Sequence, residues 1–245
     1  SSAASDVYKR QYYVNPTGAG GEYSDIQEAI KAAVNPGDTV VIRDGFYDIS
    51  SRQYIESRYG GTADHRITIK AENPGGATIT SSYGRVMRVS HPYVTVEGLI
   101  FDGQYTKRDV LQIRNYDGVR GAGASNLVLR GVEVRNGGND GVDIGDYVDD
   151  MLIEDSLIHN MLYWNGGRDD AHGVVASGVL NLTIRNTEIH HVSGDSFQIA
   201  YGNWDNVLVE NCNFWNGPLP SAQAGFPAGV NPGENAIDTK SYPDE

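Results

Sequence analysis

Leu182-Thr183-Ile184-Arg185-Asn186-Thr187-Glu188-Ile189 alternates apolar and polar residues, breaks once at an asparagine, and resumes. The same pattern, apolar-x-apolar-x-(Gly/Asn/Asp)-x-x-apolar with some drift, recurs at Val94–Phe101, Leu127–Val134, Met151–Ile158 and Val207–Phe214. A second segment interleaves with it: Asp109–Ile113, Asp140–Ile144, His172–Ala176, Asp195–Ile199 and Asn235–Thr239. Two strand types alternating at an irregular period of a few tens of residues suit neither a propeller nor a helical array. They predict a solenoid whose coils each add short strands to long parallel sheets.

Period-2 alternation gives every such strand one face toward the solenoid core and one toward water or a ligand. A single coil cannot bury its inner residues; neighbours stacked about 4.8 Å away do. Gly, Asn and Asp at the breaks tolerate the left-handed backbone that sharp corners need. Ahead of the repeats stands one helix signal. Ser24 reads as its N-cap, with Gln27 completing a capping box. Ile26, Ala29, Ile30, Ala33 and Val34 form one apolar stripe, and Asn35-Pro36-Gly37 ends it. A strand, Thr39–Ile42, follows. The helix is placed to cover the open edge of the stack. The expected fold is all-β: a single-stranded parallel β-helix of roughly seven coils with an N-terminal capping α-helix.

The bulk numbers agree. The chain has 245 residues, 39% hydrophobic and 21% charged, with 30 glycines, a composition for short strands and turns and not for disorder. No apolar run of about 18 residues is present, so no membrane-spanning segment is expected. The net charge of −13 argues against nucleic acid, which demands a basic footprint. An anionic glycan would need a bound cation or a local Arg/Lys cluster to relieve the repulsion. Cys212 is the single cysteine; it excludes an internal disulfide and reads as a small buried hydrophobe.

The segment Ser1–Gln11 resembles, in its second half, the one-frame translation of a transposase adapter used in preparing sequencing libraries. It is set apart from the fold, as a non-native leader of a metagenomic fragment would be. The β-helix domain is then expected over residues 12–245. The chain stops after a strand without a capping element, so the domain is expected to continue past Glu245.

Tyr23-Ser24-Asp25-Ile26-Gln27-Glu28-Ala29-Ile30 through Gly37-Asp38-Thr39-Val40-Val41-Ile42 resembles the N-terminal cap of the pectate-lyase-like β-helix superfamily. Leu182–Ile189 and Val207-Leu208-Val209-Glu210-Asn211-Cys212 resemble its coils. The resemblance implies a right-handed helix. It is specific for fold and unspecific for activity, because the superfamily holds lyases, hydrolases, epimerases, tail-spikes and adhesins. It also implies export, to the medium, periplasm or cell surface, in keeping with substrates too large to enter cells.

Outward residues of one sheet form ladders, one rung per coil. Gln112, Asp143, Val175, Gln198 and Asp238 are expected in one ladder, and Arg114, Gly145, Ser177, Ala200 and Lys240 in the next. Asp109, Asp140, His172, Asp195 and Asn235 lead into these strands and stack at the turn. Three clusters converge there: Gly167-Arg168-Asp169-Asp170-Ala171-His172-Gly173, Gly194-Asp195-Ser196-Phe197-Gln198, and Glu234-Asn235-Ala236-Ile237-Asp238-Thr239-Lys240.

Breaking a uronate polymer by β-elimination requires neutralising the sugar carboxylate and removing the C5 proton. The reading assigns Lys240 as base, His172 as its partner or alternative, and Arg168 to the sugar carboxylate. Arg114, Gln198, Trp164 and Trp204 are candidate substrate contacts. Asp140, Asp143, Asp170, Asp195 and Asp238 are candidate ligands for Ca²⁺, a hard cation that takes several oxygens. Lys240 in its coil is similar to the lysine-bearing coils of polysaccharide lyase families. The expected partner is an acidic polysaccharide, and the expected state a monomer. Alternatives are a non-catalytic glycan-binding adhesin, a glycoside hydrolase, which needs two spaced carboxylates, and a C5-epimerase. Tyr163, Trp164, Trp204 and Trp215 read equally as sugar platforms or as plugs over turns. Gly137–Asp143 is mis-spaced for a calcium nonapeptide, and the sequon Asn181-Leu182-Thr183 falls on a strand.

Overall fold

The computed structural model describes residues 9–162, 170–215 and 233–240. Short strands assemble into three sheets, all parallel in pairing, and each coil visits them in the same order. The first sheet holds Gln11–Val14, Thr39–Ile42, Ile67–Ala71, Val94–Glu97, Val128–Arg130, Met151–Glu154, Leu180–Arg185 and Asp205–Glu210. The second holds Gly45–Asp48, Ala77–Thr80, Ile100–Asp102, Glu133–Gly137, Leu157–Met161, Glu188–Val192 and Asn213–Trp215. The third holds Ile55–Glu56, Met87–Val89, Leu111–Ile113, Val142–Ile144, Val174–Ser177, Phe197–Tyr201 and Ile237–Thr239. The first strand opens at Gln11, paired with Thr39, one residue before the expected domain start.

Two expected strand types are therefore three. The eight-residue repeat spans two sheets, because its central Gly, Asn or Asp turns the chain within one residue. Gly98, Gly131, Asp155, Asn186 and Asn211 all have φ between 49° and 68°. Such a corner costs little at these residue types. A second left-handed file, Tyr93, Asn126, Asp150, Asn181 and Asn206, lies at or just before the start of the first-sheet strands. Its side chains are bonded coil to coil: Asn206 donates to Asn181 at 2.7 Å, and Asn181 to Asp150 at 2.8 Å. The sequon asparagine is thus a rung of a ladder.

Inside, like stacks on like. Val40, Ile69, Val96, Leu129, Ile153 and Ile184 pair in succession and are buried. Ile79, Phe101, Val134, Ile158 and Ile189 do the same in the second sheet. Each such side chain contributes about 1.5–3 kcal/mol by leaving water.

The cap differs in detail from its expected form. The helix is Ile26–Ala32, and its N-cap is Asp25, whose side chain accepts from the Gln27 amide; Ser24 lies one residue too early. Gln27 does not close a capping box. Its side-chain amide donates to the Glu56 carbonyl at 3.0 Å and accepts from the Glu56 N–H at 2.7 Å. It acts as one peptide unit of a missing strand, so the edge of the third sheet is not left open. Ile26, Ala29, Ile30 and Ala33 are buried, but Val34 is exposed beyond the helix end.

The outer face of the second sheet carries stacked rings. His159 pairs with His190, and His190 with Trp215. Ring centroids are 5.0 and 4.7 Å apart and the planes nearly parallel. His190 Nδ1 also lies 2.6 Å from His191 Nδ1. Burial, then the neighbouring His159 and His191, pushes the His190 pKa down to about 4. Its folded value lies below its unfolded one of about 6.5, so its contribution is complete above that value and is lost as pH falls toward 4. Thermal unfolding at pH 7 and pH 4.5 is expected to show that loss, about 1 kcal/mol after screening for this half-buried group. The difference between the two pH values is expected to be smaller in His190→Gln.

Candidate functional site

The third sheet presents the predicted ladder. Gln112 pairs with Asp143, Asp143 with Val175, Val175 with Gln198, and Gln198 with Asp238. The neighbouring ladder is interrupted. A bulge after Ala176 sets Ser177 against Tyr201, not against Ala200. Lys240 follows the last described strand and donates its N–H to the Ile199 carbonyl at 2.9 Å.

Where the chain enters the sheet, backbone N–H groups of Val110, Gly141, Gly173 and Ser196 donate to Asp140, His172, Asp195 and Asn235 in turn. This stacking draws a polar hub together around His172, which is buried. Its Nδ1 and its backbone N–H both reach Asp140 Oδ1, at 2.8 and 2.9 Å. On the other side, Nε2 lies 3.0 Å from Asp170 Oδ1, 3.0 Å from Gln198 Nε2 and 3.7 Å from Asp195 Oδ2. Asp195, with 0% of its side chain exposed, accepts from Gln198 and twice from Asn235. Burial disfavours the imidazolium, yet the bond to Asp140 and the charges of Asp140, Asp170 and Asp195 outweigh it and raise the His172 pKa above its ordinary value. His172 is enclosed by the hub and organises its three carboxylates.

One coil earlier, Asp109 is buried beside Asp143 and Asp140, and its pKa rises to about 7 through burial, then those charges and a bond to Asp143; Arg85 opposes the rise. Asp143 is held by the Arg114 guanidinium, which also donates to the Ile113 and Asp143 carbonyls at 3.0 and 3.1 Å. At the far end, Lys240 Nζ lies 3.4 Å from Asp238, with 49% of its side chain exposed.

The structure thus joins His172, Asp140, Asp170, Asp195 and Gln198, pairs Arg114 with Asp143, and pairs Lys240 with Asp238. It separates Arg114 from Lys240 by four rungs, about 19 Å. Gln198 is buried within the hub. Trp204 is a plug: it packs, partly buried, against the core. Trp215 rests on His190. Arg168 and Trp164, with Tyr163, lie outside the described residues.

Calcium takes about six to eight oxygens. Here Asp140, Asp195, Asp143 and Asp238 are engaged by N–H donors of His172, Asn235, Gln198, Arg114 and Lys240, and Asp170 faces the His172 ring. Among the described residues no group of three or more His, Cys, Asp or Glu is arranged to hold a metal ion. The five carboxylates do not fit a calcium cradle as they stand.

Sequence reading passed over Arg88. It pairs with Gln112 on one side and with Glu56 on the other, and so stands in the same outward ladder. The alternation in Met87-Arg88-Val89 carries that signal, and continuing the ladder one coil toward the N-terminus finds it.

Known proteins share this architecture. Residues 117–231 match the family described as right handed beta helix region, and residues 21–133 match the chondroitinase B family. Among solved structures, pectate lyase Pel9A superposes with a TM-score of 0.68 at 19% identity, covering 95% of this chain and 61% of its own. A rhamnogalacturonan lyase gives 0.61 at 16% identity, covering 96% and 62%. An alginate lyase from Paenibacillus sp. str. FPU-7 gives 0.56 at 16%, covering 85% and 77%. No curated protein sequence matches the chain. The chain spans about three fifths of the length of the pectate lyase it resembles. The chain has the right-handed parallel β-helix fold.

Proposed function

We propose that this chain belongs to a polysaccharide lyase that cleaves a uronate-containing polymer by β-elimination along the outer face of the third sheet. One observation carries the reading: the outward file Arg88, Gln112, Asp143, Val175, Gln198 and Asp238 runs along the stack beside the His172 hub and ends at Lys240. Its rung spacing of about 4.8 Å is comparable with one sugar ring, so a linear polymer can lie on it in register. The lyases among the structural neighbours support the reaction class.

In this reading Lys240 takes the C5 proton. The C4–O bond then breaks, leaving a double bond between C4 and C5, and the departing glycosidic oxygen takes a proton back from Lys240 or from water to become the new reducing end. The hub fixes Gln198 and the adjoining rung, and Arg168 is assigned to the sugar carboxylate. Arg114 holds a carboxylate several sugars away. The substrate is extracellular, and the protein acts as a monomer secreted or held at the cell surface or in the periplasm.

The test is incubation with alginate, polygalacturonate and chondroitin, with and without Ca²⁺ and a chelator. The conjugated ene-carboxylate is followed by its ultraviolet absorbance. A rise with one polymer supports the lyase and names its substrate, and loss on chelation adds a cation to the reaction. New reducing ends without absorbance would replace the lyase by a hydrolase, and silence in both assays would favour a binder or an epimerase.

A further inference from the structure

Five rungs before Asp238 on the same face, a cleft of about 490 Å³ opens between Gln53, Tyr54, Tyr83, Arg85, Arg88 and Arg108. Three guanidinium groups in one cleft are unexpected in a chain of net charge −13. Arg85 is the deepest, with 11% of its side chain exposed and its buried Nε without a hydrogen-bond partner. Its nearest carboxylate oxygen is Asp109 Oδ2 at 3.7 Å, beyond hydrogen-bond range. Arg88 is braced: it donates to Tyr54 Oη at 2.5 Å and to Gln112 Oε1 at 3.0 Å, and lies 4.1 Å over the Tyr54 ring. Glu56 is 3.8 Å away. Arg108 crosses Gly84, where an added Cβ would lie 2.7 Å from Arg108 Cγ; only glycine lets that side chain lie there. At the rim, Tyr83 leaves 64% of its surface open to solvent.

A planar fork with unmet donors suits a carboxylate or sulfate, which it binds in two-point fashion. An exposed aromatic ring beside it offers a flat apolar face for a pyranose. Three arginines gathered against two imperfectly placed carboxylates repel one another, and an incoming anion relieves that repulsion.

We infer that the cleft of Arg85, Arg88, Arg108 and Tyr83 is a distal subsite for an acidic sugar, binding its carboxylate or sulfate ester remote from the cleavage point. The inference rests on the lyase reading for its place in the reaction: Asp238, beside Lys240, is five rungs or about 24 Å away, roughly five sugars along the same polymer. The subsite anchors long substrates and fixes the direction in which they lie.

Affinity electrophoresis of the full chain through gels containing polygalacturonate, alginate, unsulfated chondroitin, chondroitin sulfate or neutral dextran tests it without any requirement for cleavage. An acidic polymer is expected to retard the protein, and dextran to leave it unaffected. The retardation constant is expected to weaken about tenfold, the loss of one charge-assisted bond, in Arg85→Ala/Arg88→Ala. The rim variants Arg108→Gln and Tyr83→Ala, which leave buried contacts in place, are expected to weaken it too. Retardation by the unsulfated polymers identifies a carboxylate, and by chondroitin sulfate alone a sulfate ester. Equal retardation of wild type and all three variants, or equal retardation in dextran, overturns the subsite. Arg-dependent retardation without any cleavage product would sink the lyase and keep the subsite. Cleavage with an unchanged polymer KM in the rim variants would do the reverse.

Discussion

Lys240→Ala is expected to slow formation of the unsaturated product by about 10²- to 10⁴-fold, the share a positioned proton acceptor ordinarily supplies. The reason is positional. His172 has both ring nitrogens engaged by the hub. Lys240 is half exposed on the same sheet and meets Asp238 through one 3.4 Å contact. Circular dichroism and thermal unfolding are expected to stay at wild-type values, because the side chain fills no core position. A Lys240→Ala protein that cleaves at the wild-type rate removes lysine from the reaction.

The largest loss of stability is expected from His172→Ala. The substitution leaves Asp140, Asp170 and Asp195 facing a space from which their shared cation has gone. Removing one partner of a buried charge network costs about 3–5 kcal/mol, read as a shift in the urea midpoint. The pH profile separates this role from simple packing. Burial works against the charge, but the bond to Asp140 and the three carboxylates raise the folded pKa of His172 above its unfolded value. Its contribution is therefore complete below the unfolded value of about 6.5 and is lost as pH rises through the folded one. Wild type and His172→Ala are expected to converge in stability at alkaline pH. A constant difference from pH 6 to 9 would mean that the ring acts by volume alone.

The stacking order of the third sheet was readable from sequence because parallel pairing preserves side-chain alternation. Once Gln112 and Asp143 are aligned, Val175, Gln198 and Asp238 follow. The bulge beyond Ala176 was hidden, since nothing in the residues Ser177 and Ala200 distinguishes a bulged strand from a regular one. The division between the first and second sheets was concealed for a different reason. A corner made by one left-handed Asn or Gly does not disturb the apolar spacing, so two strands read as one. At the cap, Ser24 and Asp25 are both good N-caps, and the contact of Gln27 with Glu56 depends on a strand that the helix sequence does not contain. Burial at the hub was illegible because Asp140, His172, Asp195 and Asn235 come from successive coils. Their enclosure is a property of the stack and not of any one segment.

From Gly98 onward the corner between the first and second sheets takes two residues in each coil, the first of them left-handed, whereas the passage from second to third sheet runs from Val192 to Phe197 in one coil and from Met161 to Val174 in another. Mutational tolerance must be distributed in the same way. An insertion at Asn186 would throw two sheets out of register at once. Extra residues between Met161 and Val174 leave the register on either side untouched. A lineage can therefore lengthen one kind of corner, while the other kind keeps the coils in step.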